Sequence, residues 1–124
     1  MCFFNKAINN ADGVIIAVPS NSFRTVAKGL ANFKGISISV TKGIEYETSL
    51  TMGGILHELA PKSVVTALSG PSLAAEVARG IPTALVCASA DKNAAYSVQN
   101  CFHRPTLRVY TSSDVLGVEL GGAL

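Results

Sequence analysis

The feature that most restricts the fold is a continuous apolar run at residues 14–18, Val-Ile-Ile-Ala-Val, which ends at Pro19. β-branched residues without polar alternation are typical of strands that are buried on both faces of a sheet. Proline marks the end of such a strand because it has no N–H group for the ladder. The run therefore predicts an interior strand with a neighbour on each edge, since an exposed edge beside apolar side chains would promote aggregation.

The rest of the chain alternates predicted helices with predicted strands. The helix after this strand is capped by Ser20 or Asn21, and its apolar residues recur at helical spacing. A later helix is capped by Thr48 or Ser49 and ends before Pro61. The other predicted elements are a weak helix at 5–12, strands at 37–40, 63–68, 83–88 and 107–110, and helices at 73–78, 91–102 and 113–124. This alternation predicts an α/β domain with a largely parallel sheet.

Composition limits the kind of partner and compartment. Only 15% of the residues are charged, against roughly a quarter in typical domains, while 48% are hydrophobic. The formal net charge of +2 and the lack of a basic stripe predict no nucleic-acid partner. The apolar runs are too short to span a membrane. The three cysteines form neither a zinc pattern nor a disulfide framework, which predicts a reducing cytoplasm.

A lysine stands where one of the predicted strands ends. The β-rich residues 37–40 run directly into Thr41, Lys42 and Gly43. In open α/β sheets, ligands bind at the carboxyl ends of the strands, and a lysine there offers a flexible cation with three hydrogen-bond donors. The alternative is a surface turn with a solvated lysine, which is the usual state of lysine in proteins.

A second turn with ligand-binding chemistry, Ser69-Gly70-Pro71-Ser72, follows the predicted strand at 63–68. Gly70 permits a close approach to the backbone, and Pro71 suits the first turn of a helix, whose free N–H groups favour an anion. Ser72 adds a hydroxyl that can donate or accept a hydrogen bond. The alternative for Ser72 is a structural role as a helix cap.

Five segments together carry a resemblance to a known family. They are Ala-Asp-Gly-Val-Ile-Ile-Ala-Val-Pro-Ser at 11–20, Thr-Lys-Gly-Ile-Glu at 41–45, Ser-Gly-Pro-Ser-Leu-Ala-Ala-Glu-Val at 69–77, Gly-Ile-Pro-Thr-Ala at 80–84 and Gly-Val-Glu-Leu-Gly-Gly-Ala-Leu at 117–124. In this order and spacing they resemble the N-terminal domain of bacterial-type NAD(P)-dependent glycerol-3-phosphate dehydrogenases. Each segment alone is a weak signal, but five in register over nearly the whole chain are specific.

The resemblance implies a Rossmann-like, doubly wound sheet and an oxidoreductase. That enzyme interconverts dihydroxyacetone phosphate and sn-glycerol 3-phosphate with NAD or NADP, in glycerophospholipid precursor synthesis. It implies that Lys42 contacts both cofactor and substrate, that Gly70 and Ser72 contact the substrate, and that Ala74 contacts the cofactor. It places the catalytic lysine directly after Leu124. A homodimer of the complete enzyme is left open.

The sequence also departs from the family pattern. It contains no Gly-x-Gly-x-x-Gly, the loop that holds a cofactor pyrophosphate. The acidic or basic residue that distinguishes NAD from NADP is missing together with that loop, so the sequence does not determine the cofactor preference. Residues 1–124 are therefore expected to form a partial NAD(P)-binding Rossmann-like domain that lacks its first βαβ unit. The C-terminal helical domain is expected outside this chain, and the isolated chain is expected to show no dehydrogenase activity.

Two other classes of function remain open from the residues. One is a related Rossmann-type dehydrogenase, such as a ketopantoate reductase or a relative of 6-phosphogluconate dehydrogenase, although the Thr-Lys-Gly and Ser-Gly-Pro-Ser pair argues against it. The other is a non-catalytic α/β domain that binds a partner through an exposed strand edge. No metal site is predicted, because His57 and His103 have no ligand partner at helical spacing.

Overall fold

The computed structural model describes the backbone of residues 2–124 and the side chains of residues 4–124. Over the described residues, six helices alternate with five strands. In order they are α1 (Cys2–Ile8), β1 (Gly13–Ile16), α2 (Ser20–Lys28), β2 (Ile36–Ser39), α3 (Met52–Leu59), β3 (Val64–Ser69), α4 (Ala74–Ala78), β4 (Thr83–Ser89), α5 (Lys92–Phe102), β5 (Leu107–Ser112) and α6 (Val115–Ala123). The predicted alternation of helices and strands is confirmed.

The five strands form one mostly parallel sheet in the order β1-β2-β3-β4-β5. The pairs β1–β2, β2–β3 and β4–β5 are parallel, and the pair β3–β4 is antiparallel. The predicted α/β class with a largely parallel sheet is therefore confirmed. Because β1, β2 and β3 run in the same direction, the turns that follow them lie at one end of the sheet.

Two apolar clusters cover the two faces of this sheet. On one face, Phe23 of α2 and Leu56 of α3 are fully buried against Ile16 and Val65 of the sheet. On the other face, α5 buries Val98 among side chains of the central strands. Helix α6 packs over β3 and β4 and also contacts α3. A mostly parallel sheet is stabilised when helices cover the apolar side chains on both of its faces.

Within the described sheet, the apolar run at 14–18 lies at an edge, so the second neighbour and the burial on both faces that its residues predict are not found among residues 2–124. Strand β1 ends at Ile16, and among the described strands it pairs with β2 alone. Val14 and Ile16 face the cluster under α2 and α3. Ile15 faces the other way and is 51% exposed, because the helix on that face, α5, covers β3, β4 and β5 and does not extend to β1.

Several predicted helix starts are also corrected. The N-cap of α2 is Pro19, which makes no side-chain capping bond, so neither Ser20 nor Asn21 has that role. The N-cap of α3 is Thr51, whose side chain accepts a hydrogen bond from the Gly54 amide. The predicted caps Thr48 and Ser49 instead belong to a loop at 43–51. For α5, the sequence allows Ser89 or Asp91 as the cap, and the structure selects Asp91, whose side chain accepts hydrogen bonds from the Asn93 and Ala94 amides.

Candidate active-site edge of the sheet

Lys42 lies at the end of the sheet where β1, β2 and β3 terminate, in the turn after β2. Its side chain is exposed, and Nζ donates hydrogen bonds to the carbonyl oxygens of Gly70 (3.0 Å) and Ser72 (3.3 Å). The fold thus brings together three of the four residues named from sequence as ligand contacts. An ammonium group has three N–H donors, so one is left after these two bonds.

The backbone on each side of Lys42 is held in place. On one side, Thr41 Oγ1 donates to the carbonyl oxygen of Val18 at 2.7 Å, which joins the end of β2 to the end of β1. On the other side, Gly43 has a φ of +141°, a conformation that favours glycine. A side chain at Gly43 would also come within 3.0 Å of Ser20 Cβ. The turn therefore has little freedom, and the flexibility of Lys42 resides in its side chain.

The turn after β3 supplies the carbonyl groups that receive Lys42. Gly70 is required there by packing, because a Cβ atom would lie 2.7 Å from the Ala84 carbonyl oxygen and 3.1 Å from Leu85 Cα of the antiparallel strand β4. The Ser72 amide donates to the Gly70 carbonyl oxygen at 2.8 Å, which closes the turn. The alternative of a capping role for Ser72 is wrong, since the N-cap position of α4 is Leu73 and no side chain caps it.

Ala74, the fourth residue named from sequence, opens α4 and is exposed. It follows Ser72 by two residues, so its backbone continues directly from the turn that holds Lys42. No residue of α4 is buried, and Leu73 and Val77 leave apolar surface exposed beside the turn. Residues 73–77 thus form an open, partly apolar surface, called here the α4 ledge, next to the turn that holds the Lys42 ammonium group.

Helix α6 packs beside Lys42 through Gly122 and holds the start of α3 through Glu119, two residues for which sequence reasoning gave no contact. A Cβ atom at Gly122 would collide with Ser69 Oγ and would lie 3.9 Å from Lys42 Cγ. One turn earlier in α6, Glu119 Oε1 accepts a hydrogen bond of 2.6 Å from the Gly53 amide. A carboxylate at the first turn of α3 also interacts favourably with the helix dipole. Nothing in the sequence pairs Glu119 with Gly53, which lies 66 residues away.

Arg24 forms the main ionic cluster near this end of the sheet. Its guanidinium binds Glu45 in a two-bond fork, with Nε–Oε1 and Nη2–Oε2 distances of 2.8 Å, and binds Glu58 more loosely at 3.2 Å. Hydrogen bonds from Arg24, and then from Thr48, lower the pKa of Glu45 to about 2. The same bonds to Glu45 and Glu58 raise the pKa of Arg24 above its ordinary value.

Other candidate features lie away from this edge. A cavity of about 550 Å³ is lined by Lys28, Lys34 and Gly35 among others, at the opposite end of β2 from Lys42. None of the four residues predicted to contact ligands lines this cavity. Within the described part of the chain, no group of three histidine, cysteine or carboxylate side chains could hold a metal ion. No helix in that part is long and apolar enough to cross a membrane.

The fold and this edge define the class of protein. A mostly parallel sheet flanked by helices, with a lysine and a glycine-containing turn at the carboxyl ends of adjacent strands, is an α/β domain of the Rossmann-like kind. The family model described as NAD-dependent glycerol-3-phosphate dehydrogenase N-terminus matches residues 3–95. The chain belongs to this family, and the resemblance seen in its motifs is confirmed.

Individual relatives agree with this assignment. The chain is 42% identical over 123 residues to glycerol-3-phosphate dehydrogenase [NAD(P)+] of Clostridium perfringens, a match that covers 97% of the chain and 37% of that protein. It is 45% identical over 121 residues to the protein of the same name from Moorella thermoacetica, covering 95% of the chain and 36% of the relative. The chain therefore spans just over a third of the length of these relatives.

A solved structure shows the same fold. The crystal structure of glycerol-3-phosphate dehydrogenase from Coxiella burnetii superimposes with a TM-score of 0.86 at 29% sequence identity, over 95% of this chain and 37% of that one. This likeness shows that the two chains share the fold of this domain, in agreement with the family match.

Proposed function

We propose that this chain forms part of the NAD(P)-binding domain of an sn-glycerol-3-phosphate dehydrogenase. The enzyme would interconvert dihydroxyacetone phosphate and sn-glycerol 3-phosphate by hydride transfer with NAD or NADP. The observation that carries the proposal is the Lys42 ammonium group, held at the sheet edge by the carbonyl groups of Gly70 and Ser72 in a chain of this family. Residues 1–124 would be the partial Rossmann-like domain, completed by a helical domain elsewhere in the enzyme.

In this proposal Lys42 binds the phosphorylated substrate and the nicotinamide end of the cofactor. Its exposed ammonium group has one donor free for a ligand oxygen, in addition to the two bonds that it makes to the carbonyl groups. Gly70 and Ser72 would contact the substrate through the turn backbone and the Ser72 hydroxyl. Ala74 would contact the cofactor through its backbone, on the exposed ledge formed by the start of α4.

The cofactor would supply the hydride, and the residues of this chain would bind and orient the reactants. A lysine side chain beside a phosphate ester neutralises charge and fixes one end of a small substrate, which places its carbonyl carbon for transfer. The remaining donor of the exposed Lys42 ammonium group fits such a ligand. The catalytic lysine that the family resemblance places after Leu124 would extend from α6, whose Gly122 lies against Ser69 and Lys42.

The compartment and partners follow from the same proposal. The substrates would be small molecules, without nucleic acid, and the location would be the cytoplasm. The location rests on the family and on the three widely spaced cysteines of the sequence, which form no disulfide framework.

Substitution of Lys42 tests the proposal in a chain of the relatives' full length. Loss of a charged hydrogen bond is worth about 1.5–3 kcal/mol, so Lys42→Ala should lower kcat/KM roughly 10- to 150-fold for sn-glycerol 3-phosphate. Lys34→Ala, at the opposite end of the sheet, is the matched control and should leave kcat/KM unchanged. An unchanged kcat/KM for Lys42→Ala would remove Lys42 from the site. The 124-residue chain by itself should show no turnover.

A further inference from the structure

We propose that Arg24 is a positioning residue for Lys42, because it fixes the loop that carries the lysine at the edge of the sheet. The inference rests on the proposed function, in which Lys42 contacts the ligands. Arg24 is a residue of α2 and contacts neither Gly70 nor Ser72. Its effect on a ligand would therefore be transmitted by the loop.

The contact between Arg24 and Glu45 is strong by geometry. Two parallel N–H···O bonds of 2.8 Å join the guanidinium fork to the carboxylate, the arrangement that gives an Arg–carboxylate pair its directional specificity. The side chains are only 26% and 17% exposed, so solvent screens them less than an ordinary surface pair. Glu58, at 51% exposure and 3.2 Å, steadies the guanidinium from α3.

Glu45 is in turn the centre of the loop that follows Lys42. Its amide donates to the Leu50 carbonyl oxygen and its carbonyl oxygen accepts from the Ser49 amide, each at 2.8 Å. Thr48 Oγ1 donates to the Glu45 carboxylate, and Ile44 forms a bridge with Thr51 next to the start of α3. Glu45 therefore closes the loop internally, and Arg24 attaches the closed loop to α2.

Lys42 lies between two attachments to the same part of the fold. Thr41 joins the turn to Val18 at the end of β1, and Glu45 joins it to Arg24 in the helix that follows β1. Between them is Gly43, whose conformation gives no side-chain packing to hold the turn. Without the Arg24 bond, the loop after Gly43 would be held only by its own hydrogen bonds and by the Ile44–Thr51 bridge at the start of α3, and Lys42 would sample positions away from Gly70 and Ser72.

A double-mutant cycle on kcat/KM separates positioning from general stability, in a chain of the relatives' full length. Arg24→Met should lower kcat/KM about tenfold when Lys42 is present but less than about twofold in a Lys42→Met background, because residues that act through one another are not additive. A purely structural effect would lower kcat/KM equally in both backgrounds and would overturn the inference. Lys28→Met, an exposed cation one turn along α2, is the control and should change neither.

Two further variants keep the test decisive if Arg24→Met folds poorly. Arg24→Lys keeps the charge but loses the two-bond fork, so a fold-competent protein with reduced kcat/KM is expected. Exchange of the pair, Arg24→Glu with Glu45→Arg, should recover activity relative to Arg24→Glu alone, and no recovery would contradict the inference. If Lys42→Met itself leaves kcat/KM unchanged, the proposed function fails, whereas loss in Lys42→Met without loss in any Arg24 variant overturns only the role of Arg24.

Discussion

Two adjacent glycines of α6 have opposite surroundings. A Cβ atom at Gly121 would meet nothing within 4 Å, whereas one at Gly122 would collide with Ser69 Oγ and come within 3.3 Å of Ser69 Cβ. Gly121 therefore costs helix stability without a packing benefit, and Gly122 allows α6 to lie against the end of β3. The same residue-scale logic explains Gly70, whose missing side chain makes room for the backbone of β4.

Alanine at these two positions should change stability in opposite directions. Gly121→Ala should stabilise by up to about 1 kcal/mol, because alanine is the better helix former. Gly122→Ala should destabilise by about 1–3 kcal/mol through overpacking, with part of the loss recovered when Ser69→Gly removes the colliding side chain. Urea unfolding of the three variants measures both free-energy changes, and a stabilising Gly122→Ala would show that α6 does not pack as described.

At the scale of elements, the loop at 43–51 connects β2 to α3 and contributes a pH-dependent contact. The folded-state pKa of Glu45 is lowered from 4.5 to about 2 by the hydrogen bonds from Arg24 and Thr48. A carboxylate with a lowered pKa stabilises the fold at pH values above its unfolded pKa, and this stabilisation is lost as the pH falls from about 4.5 towards 2. The other charged group at this contact is Glu58, which shares the Arg24 guanidinium.

Glu45→Gln should therefore destabilise the protein at pH 7 but much less at pH 3. The difference in unfolding free energy between the two proteins should be constant from pH 8 to pH 6 and should shrink through the acid range, because the amide has no titrating group. Glu47→Gln, two residues on and exposed, is the matched control and should show no such trend. Denaturant unfolding at several pH values measures it, and a pH-independent difference would mean that Glu45 makes no ionic contribution.

The same loop shows where sequence reasoning about elements succeeded and where it could not succeed. Apolar spacing was enough to locate every predicted helix and strand within a few residues, and Asp91 was one of two residues predicted as the cap of α5. The start of α3 was missed because Thr48, Ser49 and Thr51 are all residue types that cap helices, and only the folded chain shows that Thr48 instead bonds Glu45, which Arg24 holds from another helix. Such long-range side-chain contacts leave no periodic signal in the sequence, and Glu119 at the Gly53 amide is a second example.

For the whole molecule, the sequence predicted a mostly parallel sheet with ligand-binding residues at the carboxyl ends of its strands. In the fold, the turn that carries Lys42 contacts the turn that contains Gly70 and Ser72. The antiparallel pairing of β3 with β4 was not predicted, because the 13-residue connection 70–82 contains a short helix that would suit a parallel crossover equally well. Nor could the run at 14–18 reveal that it lies at an edge. Its apolar side chains are those of an interior strand, but strand order is a property of the assembled sheet.

That edge gives a last prediction about the 124-residue chain. Within the described sheet β1 pairs only with β2, and Ile15 presents an apolar side chain beside the unpaired backbone. A free, apolar edge strand is a template for pairing with another chain, and lysine is a residue that blocks such pairing. Ile15→Lys should therefore raise the monomer fraction and lower light scattering at a given concentration without loss of secondary structure.

The matched control is Tyr96→Lys, which replaces a side chain of similar exposure, 53%, on helix α5 rather than on a strand edge. If general surface apolarity drives association, both substitutions should reduce scattering equally. If the edge of β1 drives it, only Ile15→Lys should do so, because backbone pairing needs a strand and α5 offers none. Scattering that neither substitution changes would place the association elsewhere, with the exposed Leu73 and Val77 of the α4 ledge as the next surface to replace.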